Sequence, residues 1–226
     1  MNRRRAPEAR HPLRPSGPAP DRITRQPARR HPSFCCSRRR AKPHSPLTWK
    51  AIMPIFIDFE ASSLTADSWP IEIGLSSIDP GGAIVSAGKL IRPDPSWPET
   101  AWSDESAQVH RIPRADLDAA DPAPQVARWA IERIGDALLI ADAPEFDQRW
   151  LDRLMATIPD APQLRILDFD QAAWTAFGRK GNPASAPLDA VFETREGLRA
   201  AHRAARDAAD LALAWHAGLR VLGRLP

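Results

Sequence analysis

No tyrosine occurs among the 226 residues, and the two cysteines, Cys35 and Cys36, sit side by side near the N-terminus. Adjacent cysteines lack the Cys-x-x-Cys spacing of a zinc knuckle, even with His31 and His44 flanking them. With no cysteine elsewhere, no disulfide framework is implied. No apolar run approaches the roughly 20 residues that span a bilayer, so a cytoplasmic protein with no membrane partner is expected. Lys and Arg are also missing from the whole stretch Ala51 to Ile78.

Acidic residues are scarce at one end only. Residues 1–50 hold 14 Lys and Arg against two acids, Glu8 and Asp21, while the rest holds 17 against 26. A tail of +12 therefore precedes a stretch of −9, and the pI near 9.3 belongs to the tail. Nine of the 24 prolines also lie in those first 50 residues. Such a composition has no apolar periodicity and cannot bury enough surface to fold. A basic arm for nucleic acid and a targeting peptide are two readings of it. The favoured expectation is an inert disordered tail over residues 1–52, or translation that begins at Met53, with the folded domain over 53–226.

From Met53 onward the pattern is that of one α/β domain. "IFIDF" reads as a buried strand. "PIEIGLSSID" and "AIVSAGKLIRP" flank "PGG", a hairpin-type turn between two more strands. A polar connection from Pro93 to Asp121 follows, and Asp121-Pro122 predicts a helix start. Val126, Trp129, Ala130 and Ile134 recur at helical spacing up to Gly135. "ALLIA" predicts a short strand, Pro144 a helix to about Ile158, "LRILDF" a fifth strand, and Arg203 to Leu222 a last long helix. A three-strand meander followed by alternating helix and strand predicts a mixed sheet with helices packed on it.

Asp58 and Glu60 close the first strand. Residues two apart share a face, so Phe56, Asp58 and Glu60 lie on one side and Ile55, Ile57 and Phe59 on the other. Half-burying two like charges costs several kcal/mol, on the order of the penalty for an unpaired polar group, unless a cation compensates. No local Lys or Arg can do so, so a divalent ion is the obvious partner, with a solvated pair at a strand end as the other reading, and all-oxygen donors favour Mg²⁺ or Mn²⁺. Two helices add to this pair. Asp147 falls on the line of Leu151, Leu154, Met155 and Ile158, and Asp207 on that of Leu211, Trp215, Leu219 and Leu222. The helix dipole favours an acid in a first turn, but it does not put both acids on the inward stripe. Asp142, Asp152 and Asp210 lie off these stripes or outside the helices and read as caps or solvated charges.

Four carboxylates from one strand and two helices would meet at one sheet edge. With two divalent ions about 4 Å apart they form the clamp used for in-line phosphodiester hydrolysis. His202 precedes Asp207 by five residues, a separation of about 140° on a continuous helix. It must therefore be offered from the loop or first turn, as a base with an unperturbed pKa of about 6.5. With no tyrosine in the chain, the other common base for such a site is missing.

"DFEASSL", "DAPEFDQRWL" and "HRAARDA" resemble, in order, the three motifs of the DEDDh 3′–5′ exonucleases, with "PIEIG" and "VHRI" similar to their intervening segments. The resemblance covers about Pro54 to Gly223. It implies a ribonuclease H-like fold with a five-stranded mixed β-sheet flanked by α-helices. It also implies two Mg²⁺ or Mn²⁺ ions on Asp58, Glu60, Asp147 and Asp207, with His202 as base. The substrate would be a single-stranded DNA or RNA 3′ end, the product a nucleoside 5′-monophosphate, and a homodimer is an allowed assembly. By analogy Ser62 and Leu64 line the terminal nucleotide, and His110 is a further substrate-binding candidate. The sequence departs from the pattern at Asp142-Ala143-Pro144, where His-Asn-Ala is usual, and at Ser63 and Arg111, where Gly is usual. Those positions bear on which nucleic acid is preferred.

A rim of Arg111, Arg114, Arg149, Arg179 and Lys180 would help a −9 domain hold a polyanion, although scattered surface charges explain them as well. Trp69, Trp97 and Trp102 are candidates for stacking on bases, Trp102 foremost, with a small loop core as the other reading. An endonuclease on the same fold and a non-catalytic binding module are the alternative functions. A haloacid-dehalogenase-type phosphatase is disfavoured, because it would need Asp-x-Asp after the first strand.

Overall fold

A computed structural model describes residues 53–178 and 185–225. The basic tail with its cysteines, and Arg179 and Lys180, lie outside the described residues.

β1 (Ile55–Ala61) runs through the middle of a mixed sheet. β2 (Pro70–Ile78) pairs with it antiparallel and β3 (Ile84–Arg92) with β2, joined by the turn at Asp79, where Gly82 has φ 86°. On the other side β5 (Leu139–Ala141) lies parallel to β1, and β6 (Ile166–Asp168) parallel to β5. These are the five strands expected. The sheet has a sixth, β4 (Asp121–Pro122), parallel to β3 at its edge, giving the order β4-β3-β2-β1-β5-β6. Two residues carry no alternation, so β4 has no sequence signal. Asp121-Pro122, read as a helix start, is this strand, and α2 (Ala123–Ile134) begins directly after it.

The helices form two layers. Ile57, Phe59, Ile71 and Ile73 face α2 and α3 (Pro144–Met155), whose Val126, Ala130, Leu151 and Leu154 complete one core. Phe56 and Ile140 face α4 (Phe169–Phe177), α5 (Ala186–Glu196) and α6 (Ala204–Val221). There Trp215 lies 5.7 Å from Phe56 and 4.8 Å from Phe177 between ring centroids. The period-2 alternation of β1 thus feeds both cores, and its polar positions fall on the α6 side. The connection from Pro93 holds a 3-10 turn at Glu99–Ala101, α1 (Asp104–His110) and a second 3-10 turn at Arg114–Ala119. Among the described residues no helix is long and apolar enough to cross a membrane.

α6 lies on β2 and β3 because glycine leaves room for it. A Cβ on Gly74 would meet the backbone of Ala204 at 2.0 Å, and one on Gly88 the Cβ of Ala205 at 2.9 Å. Gly74 and Gly88 are cross-strand partners, and Gly74 also pairs with Asp58. The first turn of α6 is therefore seated beside the acids of β1.

Candidate active site

Asp58 and Glu60 reach the α6 face together, as their spacing predicts. Across the β1–β2 ladder Glu60 is paired with Glu72, so a third acid joins them. Asp147 arrives from the first turn of α3, at the C-terminal end of the parallel strands, and is only 3 % exposed. Asp207 comes from the first turn of α6. Its Oδ1 accepts the backbone N–H of Ala201 at 2.8 Å and its Oδ2 that of Arg203 at 3.3 Å. This grip closes the chain around His202, whose φ of 55° is left-handed. His202 thus stands just before α6 and not on it, as the five-residue spacing required. Donor atoms of Glu60, His202 and Asp207 all lie within 4.8 Å of one another.

The electrostatics follow from burial of like charges. Asp58 is pushed well above the carboxylate range, first by burial, then by the charges of Asp147, Glu60, Asp207 and Glu72. Burial, then Asp207 and Glu72, raise Glu60 to about 8, with Arg203 opposing them. Burial raises Asp147 to about 7, although the N–H groups of Phe59, Ala143 and Asp147 itself draw it back. Arg203 cannot neutralise the group, because it is held by Glu72. Its Nη2 donates to Glu72 Oε1 at 2.7 Å and its Nε to Oε2 at 3.0 Å, and Oε2 also accepts the Ala204 N–H at 3.0 Å. Several converging carboxylates whose burial disfavours their charged forms, with the nearest guanidinium held by Glu72, suit hard divalent cations.

Two cavities flank these residues. One of about 320 Å³ is lined by Asp58, Glu60, Asp207, His202, Asp142, Arg195 and Asp210, among others. The other, about 280 Å³, is lined by Ser63, Leu64, Val109, His110 and Trp150, and shares Phe59, Glu60 and His202 with the first. Asp142 and Asp210, read from sequence as caps or solvated charges, therefore border the site. Asp142 forms an ion pair with Arg195, and Arg206 donates to Asp210 at 3.3 Å.

Of the residues expected around a terminal nucleotide, Leu64 and His110 border the second cavity. Ser62 does not. It is fully buried, and its Oγ accepts the N–H of Trp69 at 3.0 Å, so Ser63 takes the place beside the cavity. Trp102 borders neither cavity. Its ring packs 5.9 Å from Trp69 and 5.9 Å from His110, and Trp97 stacks on the other tryptophan at 6.1 Å, which makes the three a small loop core. Among the described residues, the three arginines of the expected rim are engaged separately. Arg114 is paired with Glu99 and Asp118. Arg149 donates to Leu64 O at 3.3 Å and Ser68 Oγ at 3.4 Å, tying the Leu64 loop to α3. Arg111 caps α1 with φ 57°, the left-handed conformation that the glycine usual at this position adopts freely.

Glu72 was hidden within "PIEIG", where alternation shows its face but not its partner. A signal was present all the same, since β1 and β2 in simple antiparallel register bring the two glutamates together. Nothing in the sequence points to Arg195.

Residues 55–214 match the RNase T exonuclease family. Similar folds are found in the zinc-bound form of an E. coli exonuclease I–single-stranded DNA complex (13 % identity, TM-score 0.52, 75 % of this chain and 41 % of that one). A full-length 3′-exonuclease (15 %, 0.53, 76 % and 62 %) and a 3′-exonuclease structure on 3′-end recognition of a histone mRNA stem-loop (15 %, 0.53, 76 % and 65 %) are similar as well. The chain spans less than half of the first and under two thirds of the other two. No match is found among curated proteins. The motifs in order, the mixed sheet with α6 seated on its glycines and the family match over most of the domain agree: the chain belongs to the exonuclease family.

Proposed function

We propose that this protein is a metal-dependent 3′–5′ exonuclease that removes nucleoside 5′-monophosphates from single-stranded DNA or RNA in the cytoplasm. One observation carries the reading. Glu60, His202 and Asp207 bring donor atoms within 4.8 Å of one another, and beside them Asp58 is raised by burial and by the charges of Asp147, Glu60 and Asp207.

Asp58, Glu60, Asp147 and Asp207 would hold two Mg²⁺ or Mn²⁺ ions. Such ions, when bound, supply Lewis acidity at the scissile phosphate and stabilise the leaving oxygen. His202 accepts the proton of the attacking water, which adds to phosphorus as the bond to the 3′-oxygen of the penultimate nucleotide breaks. Asp207 keeps the imidazole in place through its two backbone bonds. Leu64, Ser63 and His110 receive the terminal nucleotide in the 280 Å³ cavity. His110 Nδ1 accepts the Ile112 N–H at 3.0 Å, and burial lowers its pKa, so the imidazole is neutral with its proton on Nε2. That N–H is buried without a partner among the described residues, so it is a donor ready for the substrate.

The test offers oligonucleotides of DNA and RNA, labelled at the 5′ end, to the wild type and Asp58→Ala with Mn²⁺ or Mg²⁺. A ladder shortening from the 3′ end, abolished by EDTA and by the substitution, is expected. Internal cuts, removal from the 5′ end or an equally active variant would overturn the reading.

A further inference from the structure

Phe59, Glu60 and His202 belong to both cavities, so the reacting centre lies between two unlike compartments. A terminal nucleotide in the compartment bordered by Leu64, Val109 and Trp150 directs the rest of the strand toward the other one. That compartment is bordered by Asp142 and Asp210 besides the acids assigned to the ions, and Arg195 is the one Lys or Arg among its described lining residues. A polyanion that runs on past the ions meets Asp142 and Asp210 and needs a further cation there.

Arg195 is built to be one. It projects from the last turn of α5, with its guanidinium 5.1 Å from the ring of Phe169, and is clasped by Asp142, just after β5, and by Asp170, on α4. Its side chain is 28 % exposed, whereas those of Asp142 and Asp170 are 52 % and 53 % exposed. Pairs this open to water are weak and exchange readily. Five N–H donors are not exhausted by two carboxylates, and a phosphate matches the planar fork better than a point charge would. Glu60 and His202 mark the scissile phosphate, so the neighbouring phosphate of the strand falls to the compartment that holds Arg195.

We propose that Arg195 binds the phosphate immediately 5′ of the scissile one, and so positions the penultimate nucleotide. The inference rests on the exonuclease reading above. Two dinucleotides test it, one with a 5′-phosphate and one with a 5′-hydroxyl, since only the first carries that second phosphate. The full-length wild type should show a KM about tenfold lower for the phosphorylated dinucleotide at similar kcat, the scale of a charge-assisted hydrogen bond. Arg195→Ala should lose the preference, so that its KM values for the two dinucleotides agree. A purely structural role would degrade both substrates alike and leave their ratio intact. Should R195A not fold, Arg195→Gln, which is shorter and uncharged but keeps an amide donor toward the two carboxylates, should lose the preference in the same way. A preference that survives in these variants, or none in the wild type, overturns the proposal. Release from neither dinucleotide, with no shortening of longer strands, identifies failure of the exonuclease reading itself.

Discussion

Glu60 stands directly opposite Glu72 across the β1–β2 ladder, and the guanidinium of Arg203 is bonded to Glu72. Like charges in directly opposed positions destabilise a sheet, and here the engaged partner leaves the other to carry the cost. Glu60 has an ordinary value of 4.5 and is raised to about 8. The fold therefore favours its protonated form. That contribution to stability is complete below 4.5 and is lost as the pH rises to 8. In EDTA, Glu60→Gln should match the wild type in Tm at pH 4.5 and exceed it increasingly toward pH 8. A difference independent of pH in thermal scans would contradict this.

The seat of α6 gives a second prediction. Gly74→Ala places a Cβ 2.0 Å from the Ala204 carbonyl carbon, which backbone must move to relieve. A loss of roughly 2–4 kcal/mol is expected, in the range of severe overpacking. Because Asp207 and His202 travel with α6, kcat should fall with stability. Denaturant unfolding and turnover measured together check this, and an active variant of wild-type stability would refute it.

His202 stands near enough to Glu60 and Asp207 to be a ligand or a base. As a base, its removal lowers kcat by about 10²–10⁴-fold while manganese uptake persists. His202→Ala is expected to behave so. Loss of metal affinity along with kcat would make it a ligand instead.

Arg111 occupies a left-handed position with φ 57°. A non-glycine residue there costs about 1–2 kcal/mol, partly offset by the entropy glycine loses on folding. Arg111→Gly should raise stability by about 0.5–1 kcal/mol, a net gain that urea unfolding would detect. A drop in midpoint would show that the arginine makes compensating contacts.

The five longer strands were legible because each carries alternation or a short apolar run bounded by turns. Asp147 and Asp207 were legible because an acid on an apolar stripe is conspicuous. α4 and α5 were not, since "FDQAAWTAF" and "APLDAVFETRE" are short and only partly amphipathic, and packing on α6 gives them their faces. Asp142 and Asp210 looked solvated because the cavity they border exists only once α5 and the segment before α6 close over β1. The burial of Ser62 and the packing of Trp102 away from both cavities were hidden for a related reason. A polar loop sequence does not reveal that Trp69 folds back to bond Ser62 and Pro98, burying the loop against the sheet.

Asp58, Glu60, Asp147 and Asp207 need cations to sit together in their ionised forms. Calorimetric titration of the metal-free protein with Mn²⁺ tests it most directly. Saturable uptake of two ions, lost or halved in Asp58→Asn, is the result expected. No heat of binding in the wild type, or undiminished uptake in the variant, would contradict it.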